Sequence, residues 1–299
     1  MQFFFEVLIG GLLSGVMYSL VALGFVLIYK ASGVFNFAQG SLVFFAALTF
    51  VGLTEHGLPF GLALLVTLLA MILLGLLIEK FVLRPLVNQP QISLFMATIG
   101  LSFLIEGLAQ LLWGANVRGL DIGIQDEPLA WIADPTGINV SKFDLAAAGI
   151  AAVLVIMLAL FFSRTRIGRA LRAVADDHQA ALAVGIPLQQ IWAIVWAVAG
   201  FVALVAGLLW GARNGVQFAL TFVALKALPV LILGGFDSVP GAIVGGLIIG
   251  STESSPKSTW ARMSAAASKA GSRTCSRWRS CSCGPRDSSA KRSFAGSDR

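Results

Sequence analysis

The polar stretch Arg164 to Pro187 holds the chain's most regular set of charged side chains. Arg166, Arg169 and Arg172 recur every third residue, so on a helix they share one side. Asp176 and Asp177 follow, then Gln179, Ala180 and Ala181, then Gly185. The stretch is too polar to cross a bilayer and too regular for a disordered linker. Its residues alone fit a basic anchor on anionic lipid headgroups. Four further residues have chemistry to offer inside apolar sequence. Asn36 and Gln39 are amides that can hydrogen-bond a zwitterion in transit, or can satisfy backbone in a broken helix. Glu106 and Lys226 sit within long apolar runs, where an ionisable group is costly unless it faces a pathway or a partner. They could pair with each other. His56 and His178 lack ligand spacing, and residues 1–250 contain no cysteine, so no metal and no cofactor are expected.

The elements that must position these groups are membrane spans. The chain of 299 residues is 57% hydrophobic and 12% charged, with a mean hydropathy of +0.86. A water-soluble domain could not cover that much apolar surface. Residues 1–250 are a series of apolar segments, several reaching the roughly 20 residues a span needs. The expected fold is an all-α polytopic transmembrane bundle with about eight spans: 3–28, 34–52, 59–78, 92–113, 145–163, 191–212, 219–236 and a start at 238–250. Glycine within these segments, with Pro229 and Pro240, allows close helix packing and broken or re-entrant helices. The frame Gly33-x-Phe35-Asn36-x-x-x-Gly40 returns as Gly234-x-Phe236-Asp237-x-x-x-Gly241, a weak internal echo of the repeats on which transporters are often built.

Charge sets the expected orientation. If the 164–190 loop is cytoplasmic, then Lys30, Lys80, Arg84, Arg164, Arg166, Arg169 and Arg172 all fall inside, against Arg118, Lys142 and Arg213 outside. This obeys the positive-inside rule and puts the N-terminus and the acidic loop 114–144 outside. The formal net charge of +6 belongs to residues 251–299, which carry 10 Lys/Arg against 3 Asp/Glu. A basic balance confined there is no sign of nucleic-acid binding.

Several segments together resemble the membrane permease subunit of branched-chain amino acid ABC importers. They are NFAQG at 36–40, RPL at 84–86, ATIGLS at 97–102, RTRIGRALRAVA at 164–175 and LGGFDSVPGAIVGG at 233–246, in the family's order over nearly all of residues 1–250. Gln179-Ala180-Ala181 followed by Gly185 fits the Glu-Ala-Ala-x-x-x-Gly pattern of such permeases, with Gln in place of Glu. The resemblance implies that the 164–187 loop folds as a short helix and docks in a cleft of an ATPase. It implies ABC ATPase subunits, a second membrane permease subunit and a periplasmic substrate-binding protein as partners, and the inner (plasma) membrane as location. The chain contains no G-x-x-x-x-G-K-[S/T], so ATP hydrolysis belongs to a partner and the chain is not expected to be an enzyme. The expected function is translocation of branched-chain or other small amino acids. Alternatives are a urea or short-amide permease of the same family and an ion-coupled secondary transporter.

Residues 251–299 read differently. They are rich in Ser and Arg and hold all three cysteines, Cys275, Cys281 and Cys283. Read one base out of step, TCN serine codons conceal apolar codons, and Cys and Trp conceal Leu, Met or Val. The shifted frame then supplies an apolar stretch able to form the missing last span. The expected organisation is therefore a permease domain at 1–250 and an out-of-frame tail at 251–299, which would leave this copy non-functional.

Overall fold

The computed structural model describes residues 2–86, 89–124, 127–128, 140–176, 181, 183–185 and 187–253. Its helices are α1 (Gln2–Ser32), α2 (Gln39–Glu55), α3 (Phe60–Ile78), α4 (Gln91–Trp113), α5 (Lys142–Arg164), α6 (Arg166–Asp176), α7 (Leu188–Asn214) and α8 (Val223–Gly234), then α9 (Val239–Glu253). A π turn (Glu79–Leu83) and a 3-10 turn (Arg84–Leu86) extend α3, and a second 3-10 turn (Phe218–Phe222) leads into α8. Among the described residues the only extended pairings are two isolated bridges, Arg118 with Val216 and Pro128 with Ser141.

Local sequence explains the starts. Pro59, Pro90 and Pro187 precede α3, α4 and α7, where a missing N–H costs nothing. Ser141 caps α5 by accepting from the N–H groups of Phe143 and Asp144. Asp144 in the first turn and Arg164 in the last suit the helix dipole.

Packing sorts the helices into interior and lipid-facing sets. The most apolar window is 78% buried in α1 and 67% in α7, but only 28% in α3 and in α4. Exposed side chains on α3 and α4, such as Leu69, Leu73, Phe103 and Leu111, suit hydrocarbon. Small residues make the interior contacts close. A Cβ on Gly207 of α7 would strike backbone of α2 at Val43, and one on Gly75 of α3 would meet backbone of α7 at Trp196. In lipid, where apolar burial alone does not drive association, such approaches matter.

Among the described residues, five helices are long and apolar enough to cross a membrane: the body of α1, α3 with its extension, α4, α5 and α7. The other three expected spans are present in altered form. α2 begins at Gln39 rather than at 34, because the chain leaves α1 at Gly33 with φ +69 and runs without helix through 34–36. At 17 residues, α2 is a short apolar helix. The segments expected at 219–236 and 238–250 form one pair, bent through 116°. Gly235, at φ +85, ends α8 in a conformation that L side chains rarely adopt. α9 runs on through Ser251–Glu253, three residues beyond the expected boundary. Residues 254–299, and with them the rest of the tail, lie outside the described residues.

Candidate functional site

Two places bring together the residues singled out in sequence. The first is the polar helix α6. Thr165 caps it, its Oγ1 accepting from the N–H of Gly168 at 3.1 Å. Gly168, Leu171 and Val174 are buried against the bundle, and Gly168 lies on the backbone of Phe162 so closely that a Cβ would collide. Arg166, Arg169, Arg172 and Asp176 are exposed on the other side. Among the described residues two of the arginines lean on backbone: Arg172 donates to the Ser163 carbonyl at 3.2 Å and Arg169 to the Arg164 carbonyl at 3.5 Å. Their charge stays available to another molecule. Ala181 is buried at 4% exposure, whereas Gly185 is exposed with φ +88 and open space around it. Asp177, Gln179 and Ala180 lie outside the described residues.

α6 stands at one end of the bundle. A cavity of about 470 Å³ there is shared by Leu27 and Lys30 of α1, Ser163 of α5, Arg172 of α6 and the corner Asp237–Pro240. Lys30 donates to the Asp237 carbonyl at 3.4 Å, and Trp192 at the start of α7 donates to the Ala31 carbonyl at 2.9 Å. At the other end, Arg118 pairs with Glu55 and bonds backbone at Val216, and Arg213 meets Asp144 at 3.4 Å. The residues expected inside and those expected outside therefore gather at opposite ends.

The second place lies within the bundle. Asn36 and Gln39 are fully buried. Asn36 Oδ1 accepts from the Ala38 N–H at 3.0 Å, a local turn closure. Asn36 Nδ2 and both amide atoms of Gln39 have no hydrogen-bond partner among the described residues, an unusual state for buried polar atoms. The Gln39 side chain lies against Gly24, where any Cβ would strike it. Glu106 accepts from Ser41 Oγ at 2.7 Å. Lys226 instead pairs with Glu253 at 3.3 Å, at an exposed position. The two intramembrane charges thus have separate partners and do not meet.

Around Ser41 and Glu106 the cavity of about 290 Å³ has walls of phenylalanine from α1, α2's approach, α4 and the 218–222 turn. Phe25 stacks on Phe35 at 4.7 Å, and Phe37 meets Phe35 and Phe95 edge-on at 4.8 and 5.0 Å. Phe35 also touches Phe236 edge-on, with centroids 6.3 Å apart. These two occupy equivalent places in the echoed Gly-x-Phe frames, so the two helix breaks adjoin each other. Sequence reasoning missed Ser41 and this aromatic set. The NFAQG run pointed near them, but nothing local marks Ser41 as the partner of a residue on α4.

Comparison with known proteins places the chain in a family. The family described as "Branched-chain amino acid transport system / permease component" matches residues 7–267. The chain is 28% identical to the high-affinity branched-chain amino acid transport system permease protein BraD of Pseudomonas aeruginosa, over 84% of this chain and 85% of the relative. It is 26% identical to the permease LivH of Escherichia coli over the same shares. A more distant relative, the fructose import permease protein FruG of Bifidobacterium longum, is 27% identical over 73% of this chain and 65% of its own.

Proposed function

We infer the function of this chain from the family to which it belongs, the permease components of branched-chain amino acid transport systems. It is a membrane-spanning permease subunit, a transport protein. Within an ABC importer of the inner membrane it carries branched-chain or other small amino acids, driven by separate ATPase subunits. A second membrane permease subunit and a periplasmic binding protein complete the assembly. α6 and the residues to Gly185 are the coupling element, and the path runs past Asn36, Gln39 and Glu106. Lys226, paired with Glu253 at the surface, is the weakest of the path candidates. The Ser/Arg-rich residues 254–299 are a stretch read in the wrong frame, and this copy is impaired by them.

One observation carries the coupling role. α6 buries Leu171 and Val174 but leaves Arg166, Arg169 and Arg172 exposed together at one end of the bundle. Partner docking and lipid anchoring both use such a face, and charge reversal separates them. In the chain with its frame restored after Glu253, Arg166→Glu with Arg169→Glu should abolish copurification of the ATPase and cut uptake about tenfold or more, the loss of two charge-assisted contacts. Membrane insertion should be unchanged. Normal uptake and copurification, with looser binding to anionic lipid, would make α6 a lipid anchor only.

A further inference from the structure

Ser41 and Glu106 form a polar pair where a membrane protein has least reason to keep one. Glu106 lies about 22 Å along α4 from its start and about 10 Å from its end, inside the apolar part of that span. Ser41 is 1% exposed. It reaches this depth because α2 starts only at Gln39, after the non-helical run 34–36 has turned back into the bundle. Only Oε1 of Glu106 is engaged, by the Ser41 hydroxyl at 2.7 Å. Its other oxygen has no hydrogen-bond partner among the described residues, and Glu106 lines the cavity with Phe25, Phe37, Phe103 and Phe222.

We propose that Glu106, held by Ser41, is a specificity residue of the path and receives the ammonium group of an aliphatic amino acid. This rests on the reading of the chain as an amino acid permease. An ammonium donates to the free carboxylate oxygen and offsets its charge in a poorly solvated place. Phenylalanine faces favour a cation and also accept an aliphatic side chain. A neutral urea or short amide can donate to the carboxylate but leaves its charge uncompensated. The cavity of about 290 Å³ is large enough for one leucine-sized molecule. Phe103 and Phe222 of its lining are 70% and 50% exposed, on a face that the described residues leave uncovered.

The test uses the importer assembled with its ATPases, second permease and binding protein in proteoliposomes. Both the chain as given and the chain with its frame restored after Glu253 are used, since residues 1–253 are common to both. E106Q keeps an acceptor for Ser41 and removes the charge. It should lower L-leucine uptake by about tenfold to a hundredfold, as for a lost charged hydrogen bond. ATP hydrolysis stimulated by the binding protein should persist, and E106D should keep most of the uptake. In whichever of the two chains carries leucine unsubstituted, uptake by E106Q equal to that of the unsubstituted importer would make Glu106 a helix tether and overturn the proposal. If E106Q fails to assemble, E106D decides: an assembled E106D importer that carries no leucine also overturns it. An unsubstituted importer that carries urea or acetamide but no amino acid would defeat the amino acid reading itself, a result distinct from either variant outcome.

Discussion

Gly246 of α9 sits where no side chain fits. A Cβ there would strike Ser19 Oγ and the Gly15 carbonyl of α1, and one on Gly250 would strike backbone at Gly11 and Gly15. Ser19 uses its hydroxyl in the same seam, donating to the Gly15 carbonyl at 3.0 Å and, more weakly, towards Ile243 at 3.4 Å. Small residues on both faces thus let α1 and α9 touch by backbone. Gly246→Leu should therefore destabilise the bundle by about 1–3 kcal/mol or more, because the Gly15 carbonyl is backbone and cannot rotate away even if the Ser19 hydroxyl does. Gly10→Leu is the control, since nothing lies within 4 Å of a Cβ at that position. Thermal unfolding in detergent should show a clear loss for Gly246→Leu and little change for Gly10→Leu. Equal melting of the two variants would mean that the seam carries no weight. The buried amides show a different kind of residue. Hydropathy and spacing pointed to Asn36 and Gln39, but they did not reveal that Gln39 would lie on Gly24 with its amide unsatisfied.

At the scale of elements, apolar content was a good guide to where helices lie and a poor one to where they break. Val34, Phe35 and Phe37 made residues 34–52 look like one span. Hydropathy does not register the positive φ of Gly33, so the late start of α2 was hidden. The corner at Gly235 was more legible, because Gly, Asp and Pro crowd there. That α8 and α9 double back on each other was not, since it depends on contacts such as Gly245 against the Val230 carbonyl. The pairing of Ser41 with Glu106 spans 65 residues and leaves no mark in local sequence. The basic loop ends were legible, because charge at a span end is a local property. They lead to a topology test. With Cys275, Cys281 and Cys283 replaced by Ser, a cysteine at Val117 should react with an impermeant thiol reagent in intact cells, and one at Val184 should react only after lysis. Both sites are well exposed, at 68% and 82%, so reactivity reports side rather than burial. Labelling at Val184 but not at Val117 in intact cells would invert the orientation.

At the scale of the whole molecule, the question is what supports α9. This helix lies along α1 through the glycine seam and holds Lys226 of α8 through Glu253 at its last described position. Val239–Glu253 is shorter than the roughly 20 residues of a full crossing. Beyond it Lys or Arg recur every few residues, at 257, 262, 269, 273, 277 and 279. Each costs about 2.5–3.5 kcal/mol at the centre of a membrane helix, so a span cannot be built from these residues as written. On the proposal that the tail is out of frame, the shifted frame would supply apolar residues for that span. The family match continues past Glu253 to residue 267, so the proposal is tested in the coding sequence from codon 253 up to that point. Restoring one adenine near codon 253 should convert a chain that assembles poorly and carries no substrate into one that copurifies with its ATPase and transports. The measurement is paired: yield of assembled importer and leucine uptake for both chains. If the chain as given assembles and transports as well as the restored one, then α9 needs no further helix beside it, and residues 254–299 are a tolerated extension of a working permease.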